Sequence, residues 1–185
     1  MNKILYINSS PSGADSQSVK VANALLKKLP PGDVTTRNLD EDVPPFVSKA
    51  YIHVVYTDPT QRTAAQKALL RYSDTVIAEV READIIVIGT PVHNFAIPAL
   101  LKAWIDQLVR PGATCGKGGR GFEQKKVYVA VASGRLINPE GFVGPYLKAI
   151  LAEVGLTDIT VLTLKGTLQK EIRQEDVDHL IKEIQ

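Results

Sequence analysis

Short apolar runs alternate with amphipathic segments along the whole of this 185-residue chain. Each run has the length of a β-strand, and the five runs span 4–7, 34–39, 84–89, 127–132 and 159–164. Between the runs, apolar residues recur at the i, i+3, i+4 and i+7 positions that place them on one face of a helix. Strands that alternate with helices predict a parallel sheet covered by helices on both faces.

The individual patterns indicate where each element lies. The run 84–89 is apolar on both faces, as a central parallel strand should be, whereas 34–39 is more polar and predicts an edge strand. The longest helix is predicted from about Thr60 to Glu82. Its inward face is predicted to carry Ala65, Ala68, Leu69, Tyr72, Val76 and Val80. Residues 40–58 show weak periodicity and are interpreted as a long excursion, a kind of segment that is often functional.

The length and the strand count together predict one domain that spans residues 1–185. The length lies within the ordinary range of a domain, and no Pro/Ser-rich linker divides the chain. Five strands in a three-layer α/β/α arrangement are typical of the doubly wound, flavodoxin-like class. The strand order of that class is 2-1-3-4-5.

The composition excludes several classes of protein. The chain has 22 Lys+Arg against 20 Asp+Glu, and its basic residues form no dense cluster, so we expect no nucleic-acid partner. No apolar segment approaches the length of a membrane span, and the start of the chain has no secretion-signal pattern, so we predict a cytoplasmic protein. Cys115 is the single cysteine and the three histidines lie far apart, which argues against a disulfide and a metal site.

In a sheet of this order the ligand lies beyond the carboxyl ends of the strands, at the switch point between strands one and three. Three loops meet there: 9–18, 90–95 and 132–135. The first holds five serines and begins a helix, whose free N–H groups and positive dipole end suit an anion. The alternative is that Asp15 or Ser16 simply caps the helix, but one such residue would be enough for that purpose. We therefore favour a phosphate site.

The second loop reads Pro91-Val92-His93-Asn94-Phe95 and offers flat rings and an amide to a planar heterocycle. Core packing for Phe95 and an ordinary polar loop position for His93 are equally weighted alternatives. Gly116 to Gly121 matches Gly-x-Gly-x-x-Gly, but the match precedes a strand and begins no helix, so we reject a dinucleotide site there. No hydrolytic motif is present, which indicates that a bound cofactor carries the chemistry.

At these residues the chain resembles the FMN-dependent NADH azoreductases, also called FMN-dependent NADH:quinone oxidoreductases. The similar segments are Asn8-Ser9-Ser10, Ser16-Gln17-Ser18, 91–95, Ile97-Pro98, 101–106, 112–114 and Lys125-Lys126. The resemblance implies that Ser10, Ser16, Gln17 and Ser18 hold the FMN phosphate. It also implies that the isoalloxazine ring is lined by Pro91, Val92, His93, Asn94 and Phe95, and that its pyrimidine edge meets Ala132, Ser133, Gly134 and Arg135.

The chain departs from the family pattern at a few positions. His93 replaces the usual Tyr, Cys115 stands where an aromatic residue is common, and Ser133-Gly134-Arg135 displaces the family's Ser-Arg-Gly-Gly. We expect these changes to affect substrate preference more than cofactor binding.

The leading hypothesis from the sequence is a flavoenzyme. NADH or NADPH would reduce bound FMN and leave, and a quinone or azo compound would then take the electrons in a ping-pong cycle. His93 is the one candidate for a catalytic side chain. The resemblance also implies a homodimer. The alternatives are a non-enzymatic flavodoxin-type electron carrier, expected to be more acidic and to lack the 40–58 excursion, and a binding module on the same fold.

Overall fold

A computed structural model of the protein describes residues 1–136, 141–169 and 171–184. Five parallel strands form one sheet in the order β2-β1-β3-β4-β5, as predicted. The strands are β1 (Asn2–Asn8), β2 (Gly32–Asn38), β3 (Ile85–Pro91), β4 (Lys126–Ser133) and β5 (Asp158–Lys165). β3 lies at the centre and is buried along nearly its whole length, and the more polar β2 lies at one edge.

Within the described residues, six α-helices accompany the sheet. They are α1 (Gln17–Lys28), α2 (Lys49–Val55), α3 (Ala64–Glu82), α4 (Ala99–Leu108), α5 (Val143–Ala152) and α6 (Gln174–Leu180). One apolar core joins the sheet to α3, α4 and α5, and a second core joins the opposite face to α1 and α6. The predicted three-layer arrangement is therefore confirmed.

The predicted inward face of the longest helix is partly wrong. Ala65, Ala68 and Leu69 are exposed, whereas Val76 and Val80 are buried as predicted. The buried positions of α3 are Leu70, Ser73, Val76, Ile77 and Val80. The buried face is rotated relative to the prediction because α3 packs against α2 and α4 as well as against the sheet.

The same helix begins later than the predicted Thr60. A short 3-10 turn occupies Pro59–Gln61, and α3 then begins at Ala64. Thr63 caps α3, because its hydroxyl accepts a hydrogen bond from Gln66 N while the Gln66 side chain accepts one from Thr63 N. This reciprocal capping box satisfies two backbone donors and defines the start of the helix.

The excursion at 40–58 contains a helix that the sequence analysis did not predict. Ser48 caps α2 by accepting a hydrogen bond from Tyr51 N at 3.1 Å. Tyr51, Val54 and Val55 then form a small apolar cluster with Leu70 of α3. A capping serine followed by apolar residues at helical spacing is the sequence signal that predicts such a helix.

Candidate functional site

The three predicted loops come together at the carboxyl edge of the sheet. Main-chain hydrogen bonds join them: Ser9 N donates to Gly89 O at 3.0 Å, and Val92 N donates to Ala132 O at 2.8 Å. The first bond links the exit of β1 to β3, and the second links the exit of β3 to β4. The switch point between β1 and β3 is thus surrounded by the segments that the sequence analysis selected.

A buried pair of hydroxyls marks the start of α1. Ser16 and Ser18 are 7% and 0% exposed, and their Oγ atoms lie 2.9 Å apart in a hydrogen bond. Ser16 occupies the N-cap position, yet its side chain makes no capping hydrogen bond. The alternative role of Ser16 as a simple cap is therefore wrong. The first-turn N–H groups, which have no intrahelical acceptor, remain available beside these two hydroxyls.

The other polar side chains of this loop divide into two kinds. The Ser9 hydroxyl donates to Gly89 O at 3.0 Å, so it serves the fold. Ser10 is buried and its Oγ accepts a hydrogen bond from Ser12 N at 3.3 Å, which leaves its own proton free to donate. Asp15 is exposed on the 3-10 turn Gly13–Asp15 and does not cap α1.

Gln17 supplies a test of whether an anion fits here. Its side-chain Oε1 is buried and has no hydrogen-bond partner within the described parts of the chain. Buried polar atoms without partners are rare in folded proteins and commonly await a ligand or a water. The amide can present its NH₂ group instead, because the two orientations occupy nearly the same space. The free N–H groups at the start of α1, the buried hydroxyls of Ser10, Ser16 and Ser18, and the unpartnered side-chain amide of Gln17 together fit a phosphate group.

The second loop is a tight turn with an unusual backbone. His93 N donates to Ala96 O and Ala96 N donates to His93 O, both at 2.8 Å. Between them, Asn94 and Phe95 have φ angles of 48° and 64°. Asn tolerates this left-handed region, but for a bulky residue such as Phe95 it costs about 1–2 kcal/mol. Strain of this kind persists where the surroundings enforce it, and it is concentrated at functional sites.

The side chains of this turn face outward. His93, Asn94 and Phe95 are exposed, with Phe95 at 58%, so core packing is excluded for Phe95. Pro91 and Val92 are half-buried below them. An imidazole, an amide and an aromatic ring are therefore presented together at the carboxyl edge, where a planar ligand would meet them.

The third predicted segment is held by a loop that the sequence analysis missed. Ser133 is buried and its Oγ donates to Arg135 O at 3.0 Å. The loop after β5 binds the same segment through three main-chain donors: Gly166 N to Arg135 O, Thr167 N to Ser133 O, and Leu168 N to Gly134 O. Because these bonds involve only the main chain, no side-chain motif predicts them. Ala132 and Gly134 are buried and half-buried, and Arg135 is exposed.

A separate groove of about 500 Å³ lies between β1, β2 and α3. Three of its charged lining residues already pair, since Lys3 lies 3.5 Å from Glu82 and Glu79 accepts hydrogen bonds from Arg37. These three charges need no ligand, and the convergent donors at the carboxyl edge make the better candidate. Within the described residues, no group of three or more His, Cys, Asp or Glu side chains could hold a metal ion.

Comparison with known proteins agrees with this geometry. A family model described as "Flavodoxin-like fold" matches residues 2–185. An FMN-dependent NADH:quinone oxidoreductase 2 of Jannaschia sp. (strain CCS1) is 34% identical, over 98% of this chain and 94% of that protein. The chain belongs to this flavodoxin-like family. The FMN-dependent NADH:quinone oxidoreductase of Paraburkholderia phymatum is 39% identical, over 90% of this chain and 89% of its own length.

Solved structures of this flavodoxin-like family superpose closely. A FMN-dependent NADH-azoreductase from Bacillus anthracis str. Ames Ancestor, in complex with FMN, has a TM-score of 0.80 at 25% identity, over 98% of this chain and 95% of that one. An azoreductase from Bacillus anthracis str. Sterne has a TM-score of 0.82 at 24% identity, over 99% and 96%, and shows the shared fold. In the part of the chain that the structure describes, no helix is long and apolar enough to span a membrane.

Cys115 lies away from these loops, in the glycine-rich segment that precedes β4. The thiol is half-buried, and burial, followed by the nearby charge of Glu153, raises its pKa. A raised pKa keeps the thiol protonated and weakly nucleophilic at neutral pH. We therefore expect Cys115→Ser to change NADH oxidation by less than a few-fold. Steady-state rates of the two proteins, normalised to bound flavin, check this; complete inactivation with flavin retained would contradict it.

Proposed function

We propose that the protein is an FMN-dependent oxidoreductase that takes electrons from NADH and passes them to quinones or azo compounds. The observation that carries the proposal is the buried Ser16–Ser18 hydroxyl pair at the uncapped start of α1, placed at the switch point of the sheet. The names of the relatives support the cofactor and the reductant. The phosphate would bind at this pair, with Ser10 and Gln17 as further donors.

Bound FMN supplies the hydride and electron chemistry, and the protein supplies binding and orientation. The turn at 93–96 would place the Phe95 ring and the Asn94 amide beside the flavin ring. The segment from Ala132 to Arg135 would meet the pyrimidine edge through its main chain, because the Ser133 hydroxyl is already engaged with Arg135 O. Hydrogen-bond donors aimed at a developing negative charge favour reduction of the ring.

One exposed stacking face would serve both substrates in turn. The nicotinamide would bind, donate and leave before the acceptor enters, which gives ping-pong kinetics. The described side chains of the turn include no carboxylate, so protons for the reduced acceptor would come from His93 or from water. NADPH is proposed as a second reductant of the same type.

The test uses the purified protein reconstituted with FMN. Titration of apoprotein with FMN should quench flavin fluorescence with one site per chain. Steady oxidation of NADH in the presence of a quinone supports an enzyme, and parallel initial-rate lines support the ping-pong order. Flavin binding without NADH oxidation would indicate the electron carrier, and the absence of flavin binding would indicate a binding module.

Exposed apolar side chains support a homodimer. Phe46, Ile52, Tyr56 and Leu69, all from the excursion and the start of α3, are 71, 46, 73 and 45% exposed. They lie on or near α2 and α3, which pack together, and exposed apolar residues that lie close together are typical of interaction surfaces. We propose that a second copy of the chain covers them, in a protein of the cytoplasm. Sedimentation analysis should give twice the mass of the chain, and a monomer at micromolar concentration would contradict the proposal.

Substitution of His93 should change the choice of acceptor more than the chemistry itself. A Tyr at this position keeps a flat ring with a hydrogen-bond donor, so His93→Tyr should retain FMN and NADH oxidation while the relative rates of different acceptors change. His93→Ala should mainly raise the KM of the acceptor. The measurement is kcat/KM for two quinones and one azo dye across pH.

His179→Ala is the matched control, because His179 is exposed on α6. Its rates should equal those of the wild type. A loss of about three orders of magnitude for every acceptor in both His93 variants, with flavin content intact, would identify His93 as an obligatory acid and contradict this interpretation.

A further inference from the structure

The strained turn at 93–96 receives support from a residue outside the predicted site. Val92 and Ile97, which flank the turn, pack against the main core, but the tip between them projects from the surface. The Phe95 ring contacts the ring of Phe142, with centroids 6.1 Å apart and an angle of 55° between the planes. Tilted pairs at this centroid separation are within the range in which aromatic rings attract each other.

Phe142 is itself anchored. It lies at the N-cap of α5, is half-buried, and packs against the same core that holds Val92 and Ile97. A ring fixed at one end to the core and touching the turn at the other end limits how far the turn tip can move. Phe95, which is 58% exposed and has a φ of 64°, would otherwise have little packing to offset its backbone strain.

We propose that Phe142 is a positioning residue for the flavin site: it holds the Phe95 ring, and with it the turn 93–96, in the conformation that receives the ligand. The proposal rests on the proposed function in so far as the ligand is FMN. Pre-organisation of a binding loop raises affinity because less conformational freedom is lost when the ligand binds. Phe142 itself need not touch the ligand.

The experiment has a readout that does not depend on FMN. The amide protons of His93 and Ala96 form the two hydrogen bonds that close the turn, so their exchange with solvent reports turn opening. In apoprotein, Phe142→Ala should speed both exchanges by about two- to tenfold, the factor that the loss of one aromatic pair gives. The Kd for FMN should rise by a similar factor, about two- to tenfold.

Two further variants separate positioning from general stability. Phe142→Tyr keeps the ring and should restore both values. Ile150→Ala removes a half-buried side chain from the same helix and the same core, so it should lower thermal stability while the exchange at the turn and the FMN affinity stay as in the wild type.

Equal exchange rates at the turn in Phe142→Ala and the wild type would overturn the proposal, as would an equal effect of Ile150→Ala. A wild-type protein that fails to bind FMN would instead contradict the proposed function. The exchange result would then still decide whether Phe142 holds the turn.

Discussion

The double variant Ser16→Ala/Ser18→Ala is expected to lose FMN binding almost entirely at micromolar concentrations. Both hydroxyls are buried at the uncapped start of α1 and bond to each other at 2.9 Å. When the phosphate binds, the two hydroxyls would give up this mutual bond and each would donate to the phosphate. A hydrogen bond to a charged group contributes about 1.5–3 kcal/mol, so the loss of two should raise the Kd by about 10²- to 10⁴-fold. Fluorescence titration of apoprotein with FMN measures the change.

The matched control is Ser12→Ala, which removes an exposed hydroxyl that makes no capping bond in the same loop. Its Kd should stay within about twofold of the wild type, the size of an ordinary surface substitution. Riboflavin, which lacks the phosphate, should bind the wild type and the double variant equally. An unchanged Kd for FMN in the double variant would exclude Ser16 and Ser18 as phosphate ligands.

Removal of the Trp104 side chain should destabilise the protein more than any change at the site. Trp104 lies on α4, the helix that follows the turn 93–96. Its side chain is 1% exposed and packs in the main core. Truncation of a buried tryptophan to alanine costs about 3–5 kcal/mol of the free energy of unfolding. Urea denaturation of the apoprotein should show this loss. Trp104→Phe, which keeps an aromatic ring, should cost much less, because the indole Nε1 has no partner among the described residues.

Ligand binding gives the Trp104 variant a second test. FMN at one hundred times its Kd should raise the free energy of unfolding of the variant by about 2.7 kcal/mol, since a ligand that binds only the folded state stabilises it by mass action. Recovery of this size would show that the binding site survives in the variant. A variant that FMN does not stabilise would show that α4 packing is required for the site itself.

The order of the strands and the meeting of the three loops at one edge of the sheet could both be predicted, for a common physical reason. Strands that are apolar on both faces require helices on both sides, and right-handed crossovers leave few possible orders. Once the order is known, the carboxyl ends of β1, β3 and β4 must meet at one edge. The serines, the 91–95 loop and the 132–135 segment follow those ends, so their proximity needed no further information.

What could not be predicted depends on contacts between distant segments. α2 has only seven residues, and although Ser48 and the apolar spacing mark its start, the burial of its apolar side chains depends on contact with Leu70 of α3. The exposed Ala65, Ala68 and Leu69 match a helical period as well as the buried set does, and only the position of α2 and α4 decides which face is inward. The pairing of the 166–168 loop with 133–135 and the contact of Phe142 with Phe95 leave no local pattern at all.

The main-chain bonds that join the three loops also have a consequence for the divergence of such proteins. Ser9 N to Gly89 O, Val92 N to Ala132 O and the paired bonds of His93 with Ala96 fix the backbone without using the His93 side chain. The Phe95 ring, by contrast, contacts Phe142 and takes part in holding the turn. Mutations of His93 should therefore alter the exposed surface of the turn while the frame beneath it keeps its shape. Under the proposed function, acceptor preference can thus drift within a lineage through position 93, at little cost to folding.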